Sequence, residues 1–285
     1  MNLSAYSKGV LLAFSGIVLL SPDSLLIRLI DTDLWSLMFL RGLFMGICLL
    51  LLNMLLHRGH ALRQFVIMDR YAWSIIVLTA ISSFFFVASI QNTSVAHTLI
   101  IVGSTPVVAA VLALFLLHEK VSLGTWMTIF IVVLGLGVVV YDDQQSTLKG
   151  DLYALIACLL WSINFLLARL ARMDDMVAAM SIAGFMMALL AVPLTQLETV
   201  STQQLLLSLL LGLMVGVSLS LLTLAPRYIL AAEVAVFLPL EAVIGSLLVW
   251  LLLDEYPGLI SLIAGVVIIL TIMLNSYIQI RRSSS

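Results

Sequence analysis

Apolar runs of about 18 to 25 residues follow one another along the chain, divided by short polar breaks. Each run is long enough to cross a hydrocarbon core of about 30 Å. A backbone facing lipid must satisfy its own hydrogen bonds, so each run is predicted to be a helix. The pattern places ten spans at roughly 9–30, 34–56, 72–91, 94–117, 122–140, 152–171, 177–194, 205–225, 232–253 and 259–279. The breaks leave no extramembrane domain large enough for a separate activity.

The opening run is written a second time. Residues 8–29 laid without a gap over 149–170 set Lys8 on Lys149, Gly9 on Gly150, Ser21 on Ser162, Arg28 on Arg169 and Leu29 on Leu170. Shared leucines alone carry little weight, but Lys-Gly at one end and Arg-Leu at the other fix the register, which is the mark of an internal duplication. Asp23 then falls on Asn164, two polar residues of similar shape in otherwise apolar helices. Five spans separate the copies, and because five is odd the second copy enters the membrane upside down. The expected fold is an all-α integral membrane protein, with ten transmembrane helices as two inverted five-helix repeats over 8–140 and 149–280. The polar stretch 141–150 is the expected linker.

Charge sets the orientation. With the N-terminus inside, Lys8, Arg58, Arg63, Arg70, Lys120, Arg169, Arg172, Arg227, Arg281 and Arg282 are cytoplasmic, and the outer loops collect acid. Arg28 and Lys149 fall outside, each the inverted copy of a residue that obeys the rule. Both termini are therefore expected in the cytoplasm. A composition of 63% hydrophobic and 10% charged residues excludes a soluble protein, as does a mean hydropathy of +1.22. A net charge of -2 with no basic domain points away from nucleic acid. Cys48 and Cys158 lie inside apolar runs and imply neither a disulfide nor a metal site. The first run imitates a signal peptide, but it carries Pro22-Asp23 and no small-residue cleavage site, so it is expected to stay attached as the first span.

Ionisable residues within spans are costly and normally face the bundle interior. Asp23 and Arg41 stand about nine residues to either side of Thr32, the centre of the first outer turn, which puts both about 10 Å below the outer end. They are expected to approach as an ion pair, either lining a cavity or serving packing alone. Glu241, near the middle of the ninth span with no assignable cation at its depth, is a candidate for binding a proton or a substrate ammonium. The alternative is a protonated carboxyl bonded to a neighbouring helix. Trp161 and Asn164 share a helical face, as an aromatic wall beside an amide or as core filler. Pro22, Pro106 and Pro239 interrupt spans and are hinge candidates, the alternative being kinks re-satisfied by Ser21, Ser104 or Thr105. His97 is read as interfacial, and Glu233 as a solvated carboxylate at a helix start. Trp35 and Trp73 are read as interfacial anchors. Gly42-xxx-Gly46 and Gly212-xxx-Gly216 have the spacing of close helix packing. No phosphate-binding glycine loop is present, so nothing points to ATP.

A second pair of stretches extends the duplication. Residues 96–119 set against 232–255 bring Thr105-Pro106 onto Glu241-Ala242 and Glu119 onto Glu255. With Leu40-Arg41-Gly42 in the second span, Gly150-Asp151-Leu152 opening the sixth and Ala225-Pro226-Arg227 before the ninth, the chain resembles the EamA-type proteins of the drug/metabolite transporter superfamily. The resemblance implies a secondary transporter of the bacterial cytoplasmic (inner) membrane, without cofactor and without enzymatic activity, that exports a small molecule. The mixed lining suits an amino acid or related amphipathic compound, with efflux of a hydrophobic cationic drug as the alternative. Energy would come from a proton as coupling ion or from the substrate gradient. A monomer or weak homodimer is expected in the lipid bilayer. In place of the family's Glu-Pro, the ninth span reads Glu241-Ala242, with Pro239 three residues earlier, which leaves its kink position open.

Overall fold

The computed structural model describes residues 5–93, 95–117, 122–140, 147–171, 176–253 and single positions between 263 and 278. The regular elements among them are all helical. They are α1 (Ala5–Leu20), α2 (Asp23–Ile30), α3 (Leu34–His57), α4 (Ala61–Val66), α5 (Arg70–Asn92), α6 (Val95–Gly103), α7 (Thr105–Leu112), α8 (Leu123–Val140), α9 (Leu148–Leu170), α10 (Val177–Ala191), α11 (Thr202–Leu224), α12 (Ala231–Ala235) and α13 (Pro239–Leu253). Six stretches of the described chain are long and apolar enough to cross a membrane: Ala5–Ile30, Leu34–His57, Arg70–Asn92, Leu148–Ala168, Val177–Leu194 and Thr202–Arg227. The predicted fifth span is α8. The fourth and ninth are helices broken in the middle, as α6/α7 and α12/α13. Of the tenth, Ile263, Val266, Val267, Leu270 and Leu274 are helical and exposed. Their spacing of three and four makes one apolar face.

The outer surface is apolar: Leu51, Leu55, Phe115, Phe130, Leu189, Leu206 and Leu251 all stand exposed. A face of this kind is solvated by acyl chains and gives no drive for helices to meet, so association rests on close packing of small residues. Helix α3 shows how. A Cβ on Gly42 would lie 2.6 Å from Gly184 O and 2.7 Å from Ala188 N, and one on Gly184 would lie 2.6 Å from Gly46 N. Rising numbers on α3 meet falling numbers on α10, so the two cross antiparallel with backbones in contact. Ser181 Oγ donates to Gly46 O at 3.0 Å across the same seam. On its other flank α3 meets α11, where a Cβ on Gly212 would lie 2.7 Å from Met45 N. Both small-residue pairs read from the sequence are therefore seams, and Gly184 completes the first.

The neighbours of the early helices reappear among the late ones. Helix α1 packs on α11 as α5 packs on α9, α3 packs on α11 as α10 packs on α5, and the broken helices α6/α7 and α12/α13 pack on each other. The duplicated glycines take part in this. Gly9 admits Tyr228 and Ile229 to 2.8 Å from the place of a Cβ, and Gly150 admits Thr93 to 2.5 Å, each residue lying just past the end of a long helix.

The turn between α2 and α3 is held from two sides. Asp31 adopts φ 41°, a left-handed conformation that Asp tolerates better than most residues. Gln204 Nε2 donates to Ile30 O at 2.7 Å and Asp31 O at 3.1 Å, and Gln91 Nε2 donates to Thr32 O at 3.1 Å. Gln204 also closes a capping box with Ser201, accepting from Ser201 N at 2.8 Å while Ser201 Oγ accepts from Gln204 N at 3.2 Å. Ser201→Ala is expected to remove about 1 kcal/mol, read as a lower melting temperature of the detergent-solubilised protein.

Candidate functional site

Pro22 lacks the N–H that would continue α1, and Ser21 closes the broken end by sending both its N–H (2.9 Å) and its hydroxyl (2.8 Å) to Ile17 O. Helix α2 then restarts with Asp23 in its first turn, where the helix dipole favours a carboxylate. The short turn at 31–33 folds α3 back alongside, bringing Arg41 level with Asp23. Arg41 Nη2 donates to Asp23 Oδ2 at 2.8 Å, and both residues are buried, Arg41 1% and Asp23 2% exposed. Arg41 Nε, Arg41 Nη1 and Asp23 Oδ1 are buried without a partner.

Glu241 arrives from the opposite end of the chain. Its helix breaks at 236–238, where Phe237 N bonds Val234 O at 3.1 Å and Leu238 N bonds Ala235 O at 3.0 Å, and α13 begins at Pro239. The kink therefore lies before Pro239 rather than at Glu241-Ala242. Glu241 is 1% exposed, and its Oε1 also lacks a partner. One turn further along the same face, a Cβ on Gly245 would lie 3.3 Å from Ser21 O and Ser24 Oγ, so this face lies against the α1–α2 break. Asp23 and Arg41 both act electrostatically on Glu241. Arg41 is therefore one cation whose charge reaches Glu241.

One guanidinium and two carboxyl groups, carried by three helices, thus share the interior, and two of those helices begin at a proline break. Four of their polar atoms are unpartnered. A buried unsatisfied group costs about 1–3 kcal/mol, and more when charged, so such a set is expected where something else supplies the partners.

Trp161 and Asn164 lie beside this cluster. Both line a crevice with Leu20, Thr79, Thr223 and Leu238. Leu20 and Leu238 precede Asp23 and Glu241 by three residues each, so the crevice lies against the same two helix breaks that carry the cluster. Asn164 Nδ2 donates to Thr79 Oγ1 at 2.8 Å, and its Oδ1 is unpartnered. Trp161 packs on Phe86 with ring centroids 5.2 Å apart. Asn164 keeps the place of Asp23 in the duplication but has a hydroxyl as its neighbour instead of a guanidinium. Thr79 escapes sequence reasoning because a lone helical threonine carries no signal.

At Pro106, helix α6 ends at Gly103 and α7 begins at Thr105. Ser104 and Thr105 return their hydroxyls to Ile101 O and Val102 O. Thr105 Oγ1 also reaches Cys158 Sγ at 3.4 Å, which rests this break on α9. Glu233 is buried rather than solvated. It accepts from Leu230 N at 3.2 Å and bonds to Tyr6, tying the start of α1 to the start of α12. Trp35 stacks on Phe84 at 5.2 Å and lines an apolar cavity with Met38, Phe85 and Met187, between α3, α5 and α10. Trp73 is half exposed, as an interfacial anchor would be. The side chain of His97, the residues Glu119 and Glu255, and most of the linker lie outside the described residues. No group of three or more His, Cys, Asp or Glu suited to a metal stands among the described residues.

Comparison with protein families matches the EamA-like transporter family twice, over residues 7–141 and 148–277. A search of curated proteins found no match. Among solved structures, one titled "Crystal structure of protein" superposes with a TM-score of 0.76 at 17% identity, covering 98% of this chain and 99% of its own. At that identity the likeness shows a shared fold.

Proposed function

The chain belongs to the EamA-like transporter family, and from that premise we propose that this multi-pass membrane transporter exports an amino acid or a related amphipathic metabolite by alternating access. Asp23, Arg41 and Glu241 hold the substrate's charged end, and Trp161 and Asn164 face the rest of it. The observation that carries this reading is the set of unpartnered atoms. Arg41 Nε and Nη1 are free donors on the two flanks of a planar guanidinium, a group that pairs with carboxylates. Asp23 Oδ1 and Glu241 Oε1 are free acceptors suited to an ammonium. A zwitterion supplies both partners in one small molecule. A hydrophobic cation would satisfy the acceptors and leave the guanidinium donors bare.

Coupling follows from the same count. Arg41 balances one carboxylate, so Glu241 is the carboxyl left to take either a proton or the substrate ammonium. Exclusive occupancy of one oxygen by two cations is a means of exchange. The prolines at 22, 106 and 239 supply the bends, and the recurring helix neighbours support two inverted halves, 8–140 and 149–280, moving about a shared centre. The charge pattern supports an inner-membrane placement with both termini cytoplasmic. Glu241→Gln is expected to fold normally and to lose transport or its dependence on a pH gradient, measured with labelled amino acid in proteoliposomes. Unchanged rates and coupling in that variant would remove Glu241 from the mechanism. Drug efflux is a second reading, favoured by the aromatic-lined cavity between α3, α5 and α10. Amino acids accumulating in the medium of expressing cells support the first reading. Their absence, with raised survival on toxic hydrophobic cations, supports the second.

A further inference from the structure

The crevice beside the charged cluster holds an acceptor that the substrate's charged end does not use. Six of its nine lining residues are apolar: Leu20, Trp161, Phe165, Leu219, Leu222 and Leu238. The other three are Thr79, Asn164 and Thr223, and two of these are occupied. Thr223 Oγ1 donates to Leu219 O at 2.6 Å, and Thr79 Oγ1 accepts from Asn164 Nδ2 at 2.8 Å. Asn164 Oδ1 alone of these remains buried and unpartnered, on a side chain 5% exposed. Anchoring the amide nitrogen on Thr79 fixes the direction in which the oxygen points. The free space has room for a group about the size of a water molecule, which one hydroxyl or one methyl fills and an aromatic ring does not.

We infer that Asn164 is a specificity-determining residue, its Oδ1 accepting a hydrogen bond from a donor on the side chain of the transported amino acid. Short donor-bearing side chains are thereby favoured over apolar isosteres, since an apolar group would leave the buried oxygen bare. This rests on the amino-acid reading above, which places the charged end at Asp23, Arg41 and Glu241, beside the crevice.

The test uses the purified full chain and two isosteric pairs, threonine with valine and serine with alanine, with binding measured by calorimetric titration. The wild type is expected to bind the hydroxyl member of each pair about tenfold more tightly or better. In Asn164→Leu the ratio is expected to fall below about twofold, whatever the absolute affinities become. Equal affinities within each wild-type pair overturn the inference and leave the amino-acid reading standing. A tighter apolar member, or a ratio preserved in Asn164→Leu, also overturns it. No binding by any of the four overturns the inference, and no binding by any standard amino acid removes the amino-acid reading as well. The wild-type ratio decides the matter even where the variant fails to fold.

Discussion

Arg41→Met is expected to lower stability by about 3–5 kcal/mol, because it strands a buried charge whose partner has gone. Arg41 is 1% exposed and bonds Asp23 at 2.8 Å, with Glu241 also within its field. Removing the guanidinium takes away a cation whose charge both buried carboxyl groups feel. Asp23→Leu combined with Arg41→Met is expected to recover most of the loss, since replacing both members of a buried pair by apolar groups of similar volume is often neutral or better. Transport is expected to stay absent in the double variant, which has lost both the carboxylate-binding fork and one ammonium acceptor. Unfolding of the detergent-solubilised variants gives the first comparison, and uptake into proteoliposomes gives the second. Transport restored along with stability would mean that the pair serves packing alone.

Gly184→Leu is expected to be as damaging by another route. The nearest atoms to a Cβ at that position are Gly46 N at 2.6 Å and Gly42 O at 2.7 Å, both backbone of the facing helix. Backbone cannot rotate aside, so α3 and α10 must separate along their length. The cost is expected to reach about 3 kcal/mol or more, visible as loss of a monodisperse peak in gel filtration. Gly59 is the control, because nothing lies within 4 Å of its Cβ position. Gly59→Ala is expected to change stability by no more than about 0.5 kcal/mol. A monodisperse Gly184→Leu protein melting like wild type would rule out the crossing described above.

The sequence is legible where one helix or one turn decides the outcome. Equal arms about Thr32 suffice to set Asp23 and Arg41 at one depth, and glycines four apart suffice to mark α3 as a packing face. Small-residue spacing names only one partner of a seam, however, and Gly184 stands in an unremarkable alanine-rich run. The approach of Glu241 to Arg41 joins residues 200 positions apart (241 less 41) through the packing of α13 on the α1–α2 break, which no local pattern encodes. The burial of Glu233 depends likewise on Tyr6 at the far end of the chain. The kink before Pro239 follows from the proline itself once its carbonyls are traced, and laying the ninth span over the fourth places it several residues too late.

The seam between α3 and α10 also sets a schedule for biogenesis. Gly42 and Gly184 are 142 positions apart (184 less 42), so a ribosome adding about 5–20 residues per second delivers the second roughly 7–28 s after the first. Through that interval α3 stands in the bilayer with the backbone at its glycine notches covered only by acyl chains, and its other flank waits longer still for the glycines of α11. Insertion and assembly are thus separate stages for this chain: α3 and α5 meet their main partners only as α9, α10 and α11 follow them into the bilayer.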